Sequence, residues 1–131
     1  MSTEYAVVIE KFAERHFIKL FEKKYKKNWD ITLRAIIAEL QRIEALIGHN
    51  AYIETICDAG DVKILKMEFR VAGTQESRHG SGNRCVVAIH KDTGVASILI
   101  VYGKTDVRGH RETDWWKSVV RDNYPQYRKL L

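Results

Sequence analysis

The sequence predicts an α+β fold: an N-terminal strand, an antiparallel helical hairpin, a mainly antiparallel sheet and a C-terminal helix. Three observations carry that expectation. Apolar residues recur at helical spacing through the first third of the chain. After Gly48 the spacing changes to strand-like alternation. A helical pattern returns near Thr113.

Taken in order, "YAVVI" at 5–9 reads as a short buried strand. Phe17, Leu20, Phe21 and Tyr25 then lie on one helical face with charged residues between them. The segment "KKN" at 26–28 breaks the pattern, and Asp30 is placed to cap a second helix. In that helix Leu33, Ile36, Ile37, Leu40, Ile43 and Ile47 form one apolar stripe, and Gly48 stands where a left-handed residue ends it. Two amphipathic helices joined this closely are expected to pack as a hairpin. Strands follow at about 51–57, 62–72, 84–91 and 95–102, with "KDTG" at 91–94 as a tight turn. "SILIVY" at 97–102 is apolar on both faces and so belongs inside the sheet. The last segment, from Glu112, reads as a short helix and a tail ended by Pro125. With no repeat, no low-complexity stretch and 131 residues, one domain over 1–131 is expected.

Composition narrows the function classes. No signal peptide or membrane-spanning apolar run is visible. Cys57 and Cys85 stand apart without CxxC spacing, as expected for thiols in a reducing cytoplasm. The five His and two Cys lack zinc-ligand spacing, so no metal and no cofactor is expected. The net charge of +5 is unevenly placed: "KFAERHFIKLFEKKYKK" at 11–27 holds seven Lys/Arg against two acids. A polyanion is the partner such a segment would attract.

The stretch "KMEFRVAGTQESRHGSGNRC" at 66–85 raises the sharpest question. Alternation sends Met67, Phe69 and Val71 to one face and Lys66, Glu68 and Arg70 to the other. A polar loop intervenes, and Arg84 opens the next strand, with His90 further along the same face. An ion-paired, solvated outer face accounts for such a pattern; so does a phosphate-binding hollow. Trp115 and Trp116 cannot share a helix face, so one is expected on the sheet and the other partly exposed.

The element order, with "LKMEFR", "SGNRCVVAI" and "ILIVYGKTDV", resembles the RelE/ParE superfamily of bacterial toxins from toxin–antitoxin modules, over roughly residues 5–107. The resemblance implies a RelE-like fold, a cognate antitoxin, and for the ribonuclease branch cleavage of mRNA in the ribosomal A site. That branch uses no metal: the RNA 2′-hydroxyl attacks the adjacent phosphate. By the same resemblance Lys66 takes the place of a base or phosphate-binding Lys, Arg70 a basic position on its strand, Arg84 the Arg contacting the scissile phosphate, and Lys104 the Lys of a "GKR"-like motif. Lys23, Lys24, Lys26 and Lys27 would face ribosomal RNA, with His90 as a further RNA contact. Two positions depart from the most-studied branch: Glu68 replaces a Lys and Thr105 the leaving-group Arg. Glu68 with His79, His90 or His110 would then supply acid–base chemistry. A gyrase-inhibiting or catalytically silent binding protein is the alternative.

Overall fold

The computed structural model describes residues 4–131. Strand β1 (Ala6–Ile9) leads into α1 (Lys11–Ala13), which continues through a π-helical segment (Glu14–Ile18) into α2 (Lys19–Tyr25). Ala13, Phe17, Ile18 and Phe21 are buried along this rod. The break before α3 (Lys27–Gln41) is a single residue, Lys26, with φ 51° and ψ −119°. Its amide bonds back to Glu22, while its carbonyl accepts from Trp29. Lys26 therefore takes the capping position expected of Asp30. Asp30 lies instead in the first turn of α3 and pairs with Arg34 at 3.2 Å. The apolar stripe buries Ile36, Leu40 and Ile43, although Arg42 interrupts the helix before the short α4 (Ile43–Leu46). Gly48 does adopt a left-handed conformation, with φ 81°.

Strands β2 (Ile53–Asp58), β3 (Val62–Phe69), β4 (Asn83–His90) and β5 (Val95–Tyr102) follow. They form one sheet with β1 in the order β1-β5-β4-β3-β2. Among the described residues only β1 and β5 pair in parallel. Strand β5 lies inside the sheet and is buried along almost its whole length, as its double-faced apolar sequence requires. A short helix, α5 (Arg78–Ser81), interrupts the loop between β3 and β4. After β5 come α6 (Lys104–Val107), α7 (Glu112–Asn123) and a 3₁₀ helix (Pro125–Leu130). Pro125 opens that last helix, a position where its missing N–H costs nothing.

Strand β3 stops at Phe69, earlier than alternation alone implies. The reason is a competing acceptor: Ala72 donates its amide to Thr32 Oγ1 at 2.8 Å, so α3 draws the chain out of the ladder. The Met67–Phe69 face of the sheet meets the hairpin, where Phe21 stacks on Trp29 at 4.7 Å and both contact Phe69. The opposite face carries Lys66 and Glu68 and is overhung by the first turn of α7. Of the two tryptophans in α7, Trp116 is fully buried and Trp115 half-buried, edge-on to Tyr102 at 5.0 Å. No helix is long and apolar enough to cross a membrane among the described residues.

Candidate active site

Antiparallel register assembles the site before any side chain is considered. Glu54 of β2 is directly opposite Lys66 of β3. Glu68 of β3 is opposite Arg84 of β4, and Arg84 is opposite Tyr102 of β5. Residues directly opposite share a sheet face, so these five side chains emerge on one side. Four of them, Glu54, Lys66, Glu68 and Arg84, line a hollow of about 640 Å³ with Tyr52, His79 and residues 111–114, while Tyr102 is fully buried.

Glu68 is the first node. Its Oε2 lies 2.6 Å from His79 Nδ1 and 3.0 Å from an Arg84 terminal nitrogen. An ionised carboxylate only accepts, so the proton between Glu68 and His79 sits on Nδ1. In the neutral form of the ring that tautomer leaves Nε2 as an acceptor, on a side chain that is 85% exposed. A carboxylate behind an imidazole fixes its tautomer and stabilises the imidazolium once it forms.

The resemblance puts Arg84 in the place of the Arg that contacts the scissile phosphate, and in the structure both its terminal nitrogens already have partners within the fold. Its residue is only 6% exposed. One terminal nitrogen donates to the carbonyls of Asn83 at 2.9 Å and Arg78 at 3.4 Å. The other donates to the carbonyl of His79 at 3.3 Å and pairs with Glu68. The guanidinium thereby clamps the 78–83 loop to the sheet and orients Glu68, leaving Nε pointed toward Glu112 at 3.8 Å.

Glu112 is the second node, and nothing in its local sequence marks it. Its Oε2 accepts from the Tyr102 hydroxyl at 2.9 Å and lies 3.4 Å from Lys66 Nζ. Lys66 also faces Glu54 at 3.6 Å. Burial, the Glu112 charge and this hydrogen bond together push the Tyr102 hydroxyl well above the usual tyrosine range. Counting the lining, Lys66, Arg84 and Arg111 face Glu54, Glu68, Glu112 and Asp114. The hollow is a network of paired charges rather than a bare cationic pit.

The structure gathers Lys66, Glu68 and Arg84, and from the three candidate histidines it brings His79 alone to Glu68. The other candidates lie elsewhere. Arg70 is exposed beyond the end of β3 and lines a separate groove against α3 with Thr32 and Glu39. Lys104, at the start of α6, donates to the Gly80 carbonyl at 2.8 Å from outside the hollow. His90 sits at the opposite end of β4 from Arg84, about 20 Å away at strand rise. Its Nε2 is 2.7 Å from the Tyr127 hydroxyl, a partner within the fold. His110 is exposed after α6 and does not line the hollow. Lys23, Lys24, Lys26 and Lys27 are all exposed around the α2–α3 joint. Among the described residues no cluster of His, Cys, Asp or Glu suits a metal ion.

Comparison with known proteins places this architecture. No family model and no curated protein matches the chain. A chain from the crystal structure of the archaeal RelE–RelB complex from Pyrococcus horikoshii OT3 superposes with a TM-score of 0.51. It is 14% identical, and the match covers 85% of this chain and 100% of that one. The N-terminal strand, helical hairpin, mainly antiparallel sheet and C-terminal helix are those of the RelE-like fold.

Proposed function

We propose that this chain is a RelE/ParE-superfamily toxin, restrained by a cognate antitoxin, that cuts mRNA at the ribosome in the cytoplasm without a metal. The observation that carries the reading is the Glu68–His79 pair at 2.6 Å, opening onto a hollow that also holds Lys66. His79 Nε2 takes the proton of the RNA 2′-hydroxyl, whose oxygen attacks the adjacent phosphorus. Lys66 faces the negative charge that builds on the phosphoryl oxygens, the step at which fixed charges contribute most. As the bond to the 5′-oxygen breaks, the Lys66 ammonium gives it a proton, and solvent then carries the proton from His79 back to Lys66. The products are a 2′,3′-cyclic phosphate and a 5′-hydroxyl. Glu68 positions the His79 ring, and the two terminal nitrogens of Arg84 hold Glu68 and the loop. The lysines at the α2–α3 joint would draw the protein onto ribosomal RNA by charge, without reading bases.

The test is induced expression followed by mapping of 5′ ends on cellular mRNA, with His79→Ala alongside. New ends inside reading frames that vanish in the variant support the reading. Intact messages overturn it.

The pairing of Lys66 and Arg84 with carboxylates favours a second reading, a RelE-like binding protein without nuclease chemistry. A gyrase-directed member of that class would block DNA replication while protein synthesis continued.

A further inference from the structure

Three donors converge on a single oxygen in the hollow. Glu112 Oε2 is 2.9 Å from the Tyr102 hydroxyl, 3.4 Å from Lys66 Nζ and 3.8 Å from Arg84 Nε. Tyr102 is fully buried and Arg84 nearly so, so both donors are fixed in place. The carboxylate they hold is different: the Glu112 side chain is 36% exposed and belongs to the first residue of α7, at the mouth of the hollow.

We infer that Tyr102, Lys66 and Arg84 Nε form an anion site that Glu112 fills in the free chain, and that a phosphodiester oxygen of RNA takes over. The inference rests on the ribonuclease reading for the identity of its ligand, while the site itself follows from the convergence of donors. A carboxylate and a phosphodiester each carry about one negative charge, so one replaces the other without leaving Lys66 or Arg84 unpaired in a partly dry hollow. The exchange is close to neutral in the ground state. It turns favourable as a second charge develops on the pentavalent phosphorus, because the same donors then face a dianion. Glu112 is thus a competitor built into the fold: it neutralises the site when no substrate is present and withdraws when one arrives.

The signature is a split between binding and turnover. Glu112→Gln keeps the side-chain shape but removes the competing charge. The dissociation constant for inorganic phosphate, followed by chemical-shift titration, should fall about tenfold, the scale of one partly solvated charge beside two cations. With an RNA substrate the KM should fall similarly and kcat stay near the parental value, since Glu112 has already left in the bound state. A purely structural Glu112 would lower the melting temperature without tightening phosphate. Lys66→Met in the Glu112→Gln background should abolish the gain, which ties it to this site. Phosphate affinity unchanged or weakened by Glu112→Gln overturns the inference, even if mRNA is still cut. Tightened phosphate with intact ribosomal mRNA would uphold the anion site and remove the ribonuclease reading instead.

Discussion

In the hollow, Lys66 and Arg84 are largely buried and each faces two carboxylates, whereas at the α2–α3 joint Lys23, Lys24, Lys26 and Lys27 stand in solvent. Among the described ion pairs none involves those four lysines. The contrast separates two uses of positive charge. Exposed, unpaired charge acts at a distance and is screened by salt. Buried, paired charge is held at fixed distances, costs stability when one partner is removed, and responds weakly to salt. Net charge alone, +5 for the whole chain, does not distinguish them.

The two regions separate most clearly when chemistry is deleted from the hollow without touching the fold. His79→Ala should reduce single-turnover mRNA cleavage by about 10²–10⁴-fold, the range for one general acid–base group. Because the ring is 85% exposed, the unfolding midpoint should hardly move. Cleavage at the parental rate would show that the Glu68–His79 pair is only a surface contact. Next in size, Arg84→Ala should destabilise the protein by about 3 kcal/mol in urea unfolding, since it strands Glu68 and three loop carbonyls. Arg84→Lys should recover little, because one ammonium cannot span those acceptors. An unshifted midpoint would return Arg84 to the status of a free surface charge.

At the joint the expected effects are electrostatic. Replacing Lys23, Lys24, Lys26 and Lys27 together by Gln should leave the rate on bound message intact. It should flatten the slope of log affinity against log salt by about 3, at roughly 0.7 per phosphate released on single-stranded RNA. A slope that persists would locate the RNA attraction elsewhere on the surface. The smallest change is expected from Lys104→Met, which removes one exposed hydrogen bond to Gly80 and should cost at most about 1 kcal/mol. A collapse of cleavage in that variant would mean the catalytic boundary extends to α6.

The strands were legible because alternation is local: one face of 66–71 had to be buried, which placed Lys66 and Glu68 together. The partnership of Glu68 with Arg84 was legible in kind but not in consequence. Sequence puts them on adjacent strands, yet only the tight return through α5 turns the guanidinium back onto three loop carbonyls. Arg70 follows the same alternation and still leaves the site, because Thr32, some forty positions earlier, captures the Ala72 amide. Glu112 was invisible for a related reason. In "ETDWW" it reads as an ordinary acid in the first turn of a helix, and its role depends on where α7 begins over the sheet. The π-helical segment Glu14–Ile18 likewise leaves no mark on the apolar spacing around it.

Lys26 carries one further consequence. Its φ of 51° with ψ of −119° lies in territory where glycine is at ease and a side chain with a Cβ is strained, by about 1–3 kcal/mol. A lysine occupies it nonetheless, at the tip of the most basic part of the chain. Under the proposed function, stability and attraction to RNA are therefore set against each other at a single residue. Lys26→Gly should raise the unfolding midpoint and weaken ribosome binding together, so that the hardier molecule would hold its proposed target less well.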